Sequence, residues 1–125
     1  MIESRAELIV DIAKRFMELL LQLEPQWKKG YLRFRLDLEQ CGCNASFDND
    51  SQVLLIDAIK NQGFFAHISA QGRKILQNLG KSKGVFILVA DSSSKYDFYF
   101  EFEDLDRWKI SQTDGATGVP IGITE

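Results

Sequence analysis

Three side chains in this sequence have the clearest capacity for chemistry: the single histidine, His67, and the two cysteines, Cys41 and Cys43. A zinc site takes three or four protein ligands at characteristic spacings. One imidazole and a Cys-Gly-Cys pair fall short of that. A cysteine nucleophile needs an accessible thiolate in an electropositive setting, with a base within hydrogen-bond reach. Cys41 and Cys43 alternate with Gly42 and Asn44, which puts both thiols on the apolar side of a predicted strand, and His67 falls near a predicted helix start. Small buried thiols are common in cores, so the pattern reads as two core cysteines and a separate histidine.

Phosphate and acid–base motifs fare no better. Gly80-Lys81-Ser82 has the ending of a phosphate-binding loop, but Ile75 stands where its earlier glycine belongs, and a helix precedes the motif where one should follow. Gly115-Ala116-Thr117-Gly118 has no strand before it or helix after it, as a dinucleotide fingerprint would need. The carboxylates between Glu101 and Asp106 read as solvated, whereas a general acid sits in an apolar pocket. The sequence therefore predicts no catalytic residues, no metal and no cofactor.

What remains is a surface. Asp97, Tyr99, Glu101, Glu103, Asp104 and Asp106 put acidic groups on and just beyond one strand, with Trp108 close by. Aromatic residues beside charge are the usual anchors of protein interfaces, although acidic residues also simply keep a sheet edge wet. Tyr99, Glu101, Glu103, Asp104, Asp106 and Trp108 are the candidate partner contacts. The charge balance, 15 Lys and Arg against 18 Asp and Glu for a net −3, disfavours direct nucleic-acid binding, which rests on cations releasing phosphate counterions. It favours a basic partner.

The elements that must position this surface are legible from periodicity. Residues 2–23 recur apolar at helical spacing and stop before Pro25. Residues 27–39 alternate, with Leu32, Phe34, Leu36 and Leu38 on one face and Tyr31, Arg33, Arg35, Asp37 and Glu39 on the other. Residues 41–47 alternate again and close a hairpin. Val53–Ile56 reads as a short strand, and Asn61-Gln62-Gly63 as a break. A second helix spans 66–79, with Gly72 on its apolar stripe for close packing and Gly80 as its cap. Val85–Val89 is apolar throughout, and Tyr96, Phe98, Phe100 and Phe102 alternate with Asp97, Tyr99, Glu101 and Glu103.

This order, α-β-β-(β)-α-β-β, predicts an α+β fold: an antiparallel sheet of about four to five strands with two helices on one face. Arg33, Arg35, Asp37, Asp97, Tyr99, Glu101 and Glu103 would then face water. Of the 125 residues, 1–110 form one α+β domain and 111–125 an irregular Gly-, Thr- and Ser-rich tail. Two cysteines one residue apart suit reduced thiols in the cytosol. The opening Met1-Ile2-Glu3-Ser4-Arg5 is unlike a secretory leader, and no stretch has the apolar length of a membrane span. The expectation is a cytoplasmic chain that does not contact membranes.

The chain resembles the YezG-like bacterial toxin immunity proteins. The resemblance rests on the N-terminal amphipathic helix, on Pro25-Gln26-Trp27-Lys28-Lys29-Gly30-Tyr31-Leu32-Arg33-Phe34, and on Tyr96-Asp97-Phe98-Tyr99-Phe100-Glu101-Phe102-Glu103-Asp104 followed by Arg107-Trp108. It implies a stoichiometric inhibitor without enzyme activity, whose partner is a cognate toxin, often a nuclease and therefore basic. A second class, the acidic type III secretion chaperones that bind an effector segment, shares the order of elements. Those chaperones end in an amphipathic helix, which Gly115, Gly118, Pro120 and Gly122 oppose here.

Overall fold

The computed structural model describes residues 4–123. Its first helix, α1 (Arg5–Leu23), begins at a reciprocal cap: Ser4 Oγ accepts the Glu7 amide at 3.2 Å and donates to the Glu7 carboxylate at 3.1 Å. The expected start at residue 2 lies outside the described residues. Leu8, Ile12, Ala13, Phe16 and Leu20 form its buried stripe, and Glu24 turns extended ahead of Pro25, which cannot continue a helix.

Next come β1 (Lys29–Asp37), β2 (Gln40–Asp48) and β3 (Val53–Leu55), then α2 (Gln62–Asn78), β4 (Lys83–Asp91) and β5 (Tyr96–Glu101). All pairings are antiparallel and the strand order is β3-β2-β1-β4-β5. Both helices pack on one face. There Leu32, Phe34, Leu36, Phe86 and Leu88 meet the stripes of α1 and α2, with Cys41, Cys43, Phe98 and Phe100 partly buried around them. The α+β architecture read from periodicity is the architecture observed.

α2 starts earlier than its expected residue 66. Asp57 Oδ1 accepts the amides of Ile59 and Lys60, Asn61 Nδ2 donates to the Asp57 carbonyl, and the Phe65 amide donates to the Asn61 carbonyl. The segment expected to break the chain thus launches the helix, and Phe65 is recruited into the core. Gly72 packs as the sequence required: a Cβ there would meet three Phe34 ring atoms at 2.8–2.9 Å.

Leu38 is corrected. Alternation predicts it on the core face of β1, yet the Asp37↔Gln40 pair closes a two-residue turn that holds Leu38 at φ +59°, 67% exposed. A left-handed backbone costs a Cβ-bearing residue about 1–2 kcal/mol, more than the extra unfolded-state entropy glycine brings. Leu38→Gly should therefore raise unfolding stability by about 0.5 kcal/mol, read as a higher urea midpoint at constant slope. A lowered midpoint would show that the turn is unstrained.

The larger correction concerns the face opposite the helices. It does not lie open to water. Residues 105–123 run across it as an irregular strap, and Tyr31, Val85, Ile87, Trp108, Ile110 and Val119 close a second core beneath. The physical reason sits in β4. A strand apolar on both faces needs cover on both, and Val85, Ile87 and Val89 point away from the helices. The polar residues of this face act as donors to strap carbonyls. Arg33 reaches Leu105 O at 2.7 Å and Arg107 O at 2.9 Å, and Arg35 reaches Leu105 O at 3.2 Å. Asn44 donates to Ile110 O at 3.2 Å and Ser46 to Gly118 O at 2.6 Å. Arg33, expected in water, is only 9% exposed. The division drawn at residue 110 does not divide the packing, because Val119 belongs to the same core as Tyr31.

Candidate functional site

β5 ends the sheet and carries the acidic row at the strap side of its edge. Its pairing with β4 sets Asp97 beside Val89, Tyr99 beside Ile87 and Glu101 beside Val85, all on the face the strap crosses. Regular pairing stops at Glu101, whose carboxylate organises the turn that follows. One oxygen accepts the Glu103 amide at 3.1 Å and the Asp104 amide at 3.4 Å; the other pairs with Arg107 Nη1 at 2.8 Å. These backbone donors, and then Arg107, hold its carboxyl below the usual range. Asp104 Oδ1 in turn accepts the Asp106 amide at 3.0 Å.

The turn is thus fixed from two sides, by Glu101 inside it and by Arg33 and Arg35 on its carbonyls. Burial lowers the Arg33 guanidinium and Arg35 adds to that, while Asp106 and Asp104 offset part of it. Held this way, Glu103, Asp104 and Asp106 project outward as an exposed rim. Tyr99 stands beside them, 46% exposed.

Two of the six expected contacts change role. Glu101 is the internal acceptor that shapes the rim. Trp108, 5% exposed, lies under the surface, with its ring 6.5 Å from that of Tyr99 and the Arg107 guanidinium 4.6 Å above it. Burying an indole stabilises strongly, and the second core seats it among Tyr31, Val85, Ile87, Ile110 and Val119. Asp97 belongs to the same exposed row and joins Tyr99 at the wall of an open groove of about 420 Å³, shared with Lys29 of β1 and with Arg107 and Ile123 of the strap. Sequence alternation had put Asp97 on this row; the groove could not be read from it, since its far wall comes from the strap.

His67 does not meet a thiol. It sits in the second turn of α2, and its Nε2 lies 2.7 Å from Asp11 Oδ2 of α1. Gln71 donates to the same oxygen at 2.8 Å, and Arg15 to the other at 3.1 Å. Cys43 is pushed well above the usual thiol range by burial, with Cys41 adding to it, so its thiol is inert as a nucleophile at neutral pH. The cluster is a clamp between the helices. Among the described residues no group of three His, Cys, Asp or Glu is placed to hold a metal ion.

The clamp predicts an acid limb of stability. Partial burial pushes the Asp11 carboxyl up, but hydrogen bonds from His67, Gln71 and Arg15 outweigh it and hold the group at about 2. A carboxyl depressed in the folded state stabilises above its unfolded pKa and loses that contribution as pH falls through the folded value. The contribution, about 1–2 kcal/mol after solvent screening, is therefore complete above roughly pH 5 and is lost progressively as pH falls, disappearing only below about pH 2. Urea unfolding of Asp11→Asn should be weaker than wild type at pH 6 and converge with it toward pH 2. Parallel pH curves for the two proteins would refute the clamp.

Fold and surface together define a small α+β domain that presents an acidic, aromatic edge strand on a braced turn. Comparison of the chain with protein-family models and with curated proteins returns no match. Among the described residues no helix is long and apolar enough to cross a membrane.

Proposed function

We propose that this chain is an immunity protein of the YezG-like kind, a stoichiometric inhibitor that captures a cognate bacterial toxin in the cytoplasm through the β5 rim. The observation that carries the reading is the group of exposed carboxylates there that make no ion pair. Glu101 is paired with Arg107, and Asp106 has Lys109 at 3.7 Å, but among the described residues Asp97, Glu103 and Asp104 have no cation within ion-pair distance. Holding like charges on a braced turn beside an exposed tyrosine costs stability and favours a basic partner. A nuclease toxin must present cations to phosphate, so an acidic rim competes for the surface its substrate needs.

Protection of the producing cell calls for nanomolar binding, about −12 kcal/mol. A standard interface of about 1,600 Å² supplies this when anchored by a few desolvated residues. The test is co-expression with the toxic C-terminal domain encoded beside the chain's own gene. Restored growth and a 1:1 complex are expected; toxicity unrelieved and no complex would overturn the reading. A secretion chaperone has the order of elements in its favour, but residues 111–123 carry no closing helix. A stable homodimer binding an extended effector peptide would favour that second reading.

A further inference from the structure

We propose that the outer edge of β5 receives an extended strand from a partner, one that alternates basic and apolar residues, and extends the sheet by one strand. The inference deepens the proposed capture of a basic partner and rests on that reading only for the partner's identity.

β5 is hydrogen-bonded to β4 on one side and is the last strand of the sheet, so the amides and carbonyls of its other side form a ready template. Natural edges are blunted by lysine, proline, bulges or covering segments. Tyr96–Glu101 contains neither lysine nor proline, and its pairing with β4 runs unbroken from Ala90↔Tyr96 to Val85↔Glu101. The opposite edge, β3, is only three residues long.

The side chains state what the incoming strand must be. Those of an added strand alternate between the two faces. On the helix side they meet Phe98 and Phe100, which are partly buried and continue a ring ladder from Phe86: 4.5 Å from Phe86 to Phe98, then 5.3 Å to Phe100. The helices pack chiefly on β1, β2 and β4, leaving this end of the aromatic row thinly covered. Apolar residues of the newcomer would complete that cover. On the strap side they meet Asp97, Tyr99 and the exposed Glu103–Asp104 rim, where a lysine or arginine gains charge complementarity. Backbone pairing supplies affinity and the two faces supply selectivity, as in other strand-addition complexes.

The probe is a short acetylated peptide alternating lysine with valine and phenylalanine, titrated into the full chain by fluorescence anisotropy with amide hydrogen exchange read in parallel. Binding should slow exchange within Tyr96–Glu101. The same peptide N-methylated at alternate residues keeps charge and side chains but loses its edge donors, and should bind roughly tenfold or more weakly. Equal binding of the methylated peptide would mean charge alone and overturn the proposal. So would protection elsewhere in the chain, no binding, or a homodimer that already occupies β5. A toxin neutralised without strand uptake would overturn this mode and leave the proposed function standing. Strand uptake without any neutralised toxin would support the edge and count against the immunity role.

Discussion

Replacing Asp97, Glu103 and Asp106 together by lysine should weaken toxin capture by about a hundredfold or more, with little change in melting temperature. Each reversal exchanges an attractive for a repulsive contact against a basic surface. Three such changes of about 1 kcal/mol or more each reach that factor. The loss should appear first in the association rate and shrink as salt is added, because the rim is solvent-exposed and screening acts within about 8–10 Å. Folding changes little, because Asp97 and Glu103 accept no side-chain hydrogen bond or ion pair among the described residues. Asp106 acts on the fold only through its field at Arg33 and a long surface pair with Lys109 at 3.7 Å. Glu101, the natural first choice from its place in the acidic row, is excluded from the set. Reversing it would break the Arg107 pair and two amide contacts, confusing folding with binding. A dissociation constant unchanged at low salt would remove the rim from the interface.

Trp108→Ala should lower unfolding stability by about 3–4 kcal/mol, the range for deleting a buried aromatic side chain. The indole is packed with Tyr31, Val85, Ile87, Ile110 and Val119. Trp108 also holds φ at +62°, a conformation that alanine tolerates no better, so backbone relief does not offset the loss. Amide exchange across residues 105–121 should quicken well before global unfolding, since the second core is what keeps the strap on the sheet. Trp108→Phe should retain a good part of the stability. A loss under about 1 kcal/mol for Trp108→Ala would mean the strap is held by Arg33, Asn44 and Ser46 rather than by its apolar seat. Capture of a partner should fall with Trp108→Ala as well, because Arg107 and Tyr99 both rest against that ring.

Sequence alone determined the architecture. Period-two runs in β1, β2 and β5 and helical stripes in α1 and α2 each name an apolar face, and antiparallel hairpins with helices on one side are what such faces can build. It also placed the acidic row on one strand, because alternation assigns every second residue to a side. It did not reveal what covers that side. Arg33, Asn44 and Ser46 look like solvated positions by composition, yet each donates to a carbonyl roughly seventy residues along the chain. Nor did it separate Glu101 and Trp108 from the true rim. Periodicity reports which way a side chain points relative to its own backbone. Whether that direction leads to water or to another part of the chain depends on contacts between distant segments, and those only the folded structure specifies. The one local hint was β4, apolar on both faces, which required a second layer without naming the strap that supplies it.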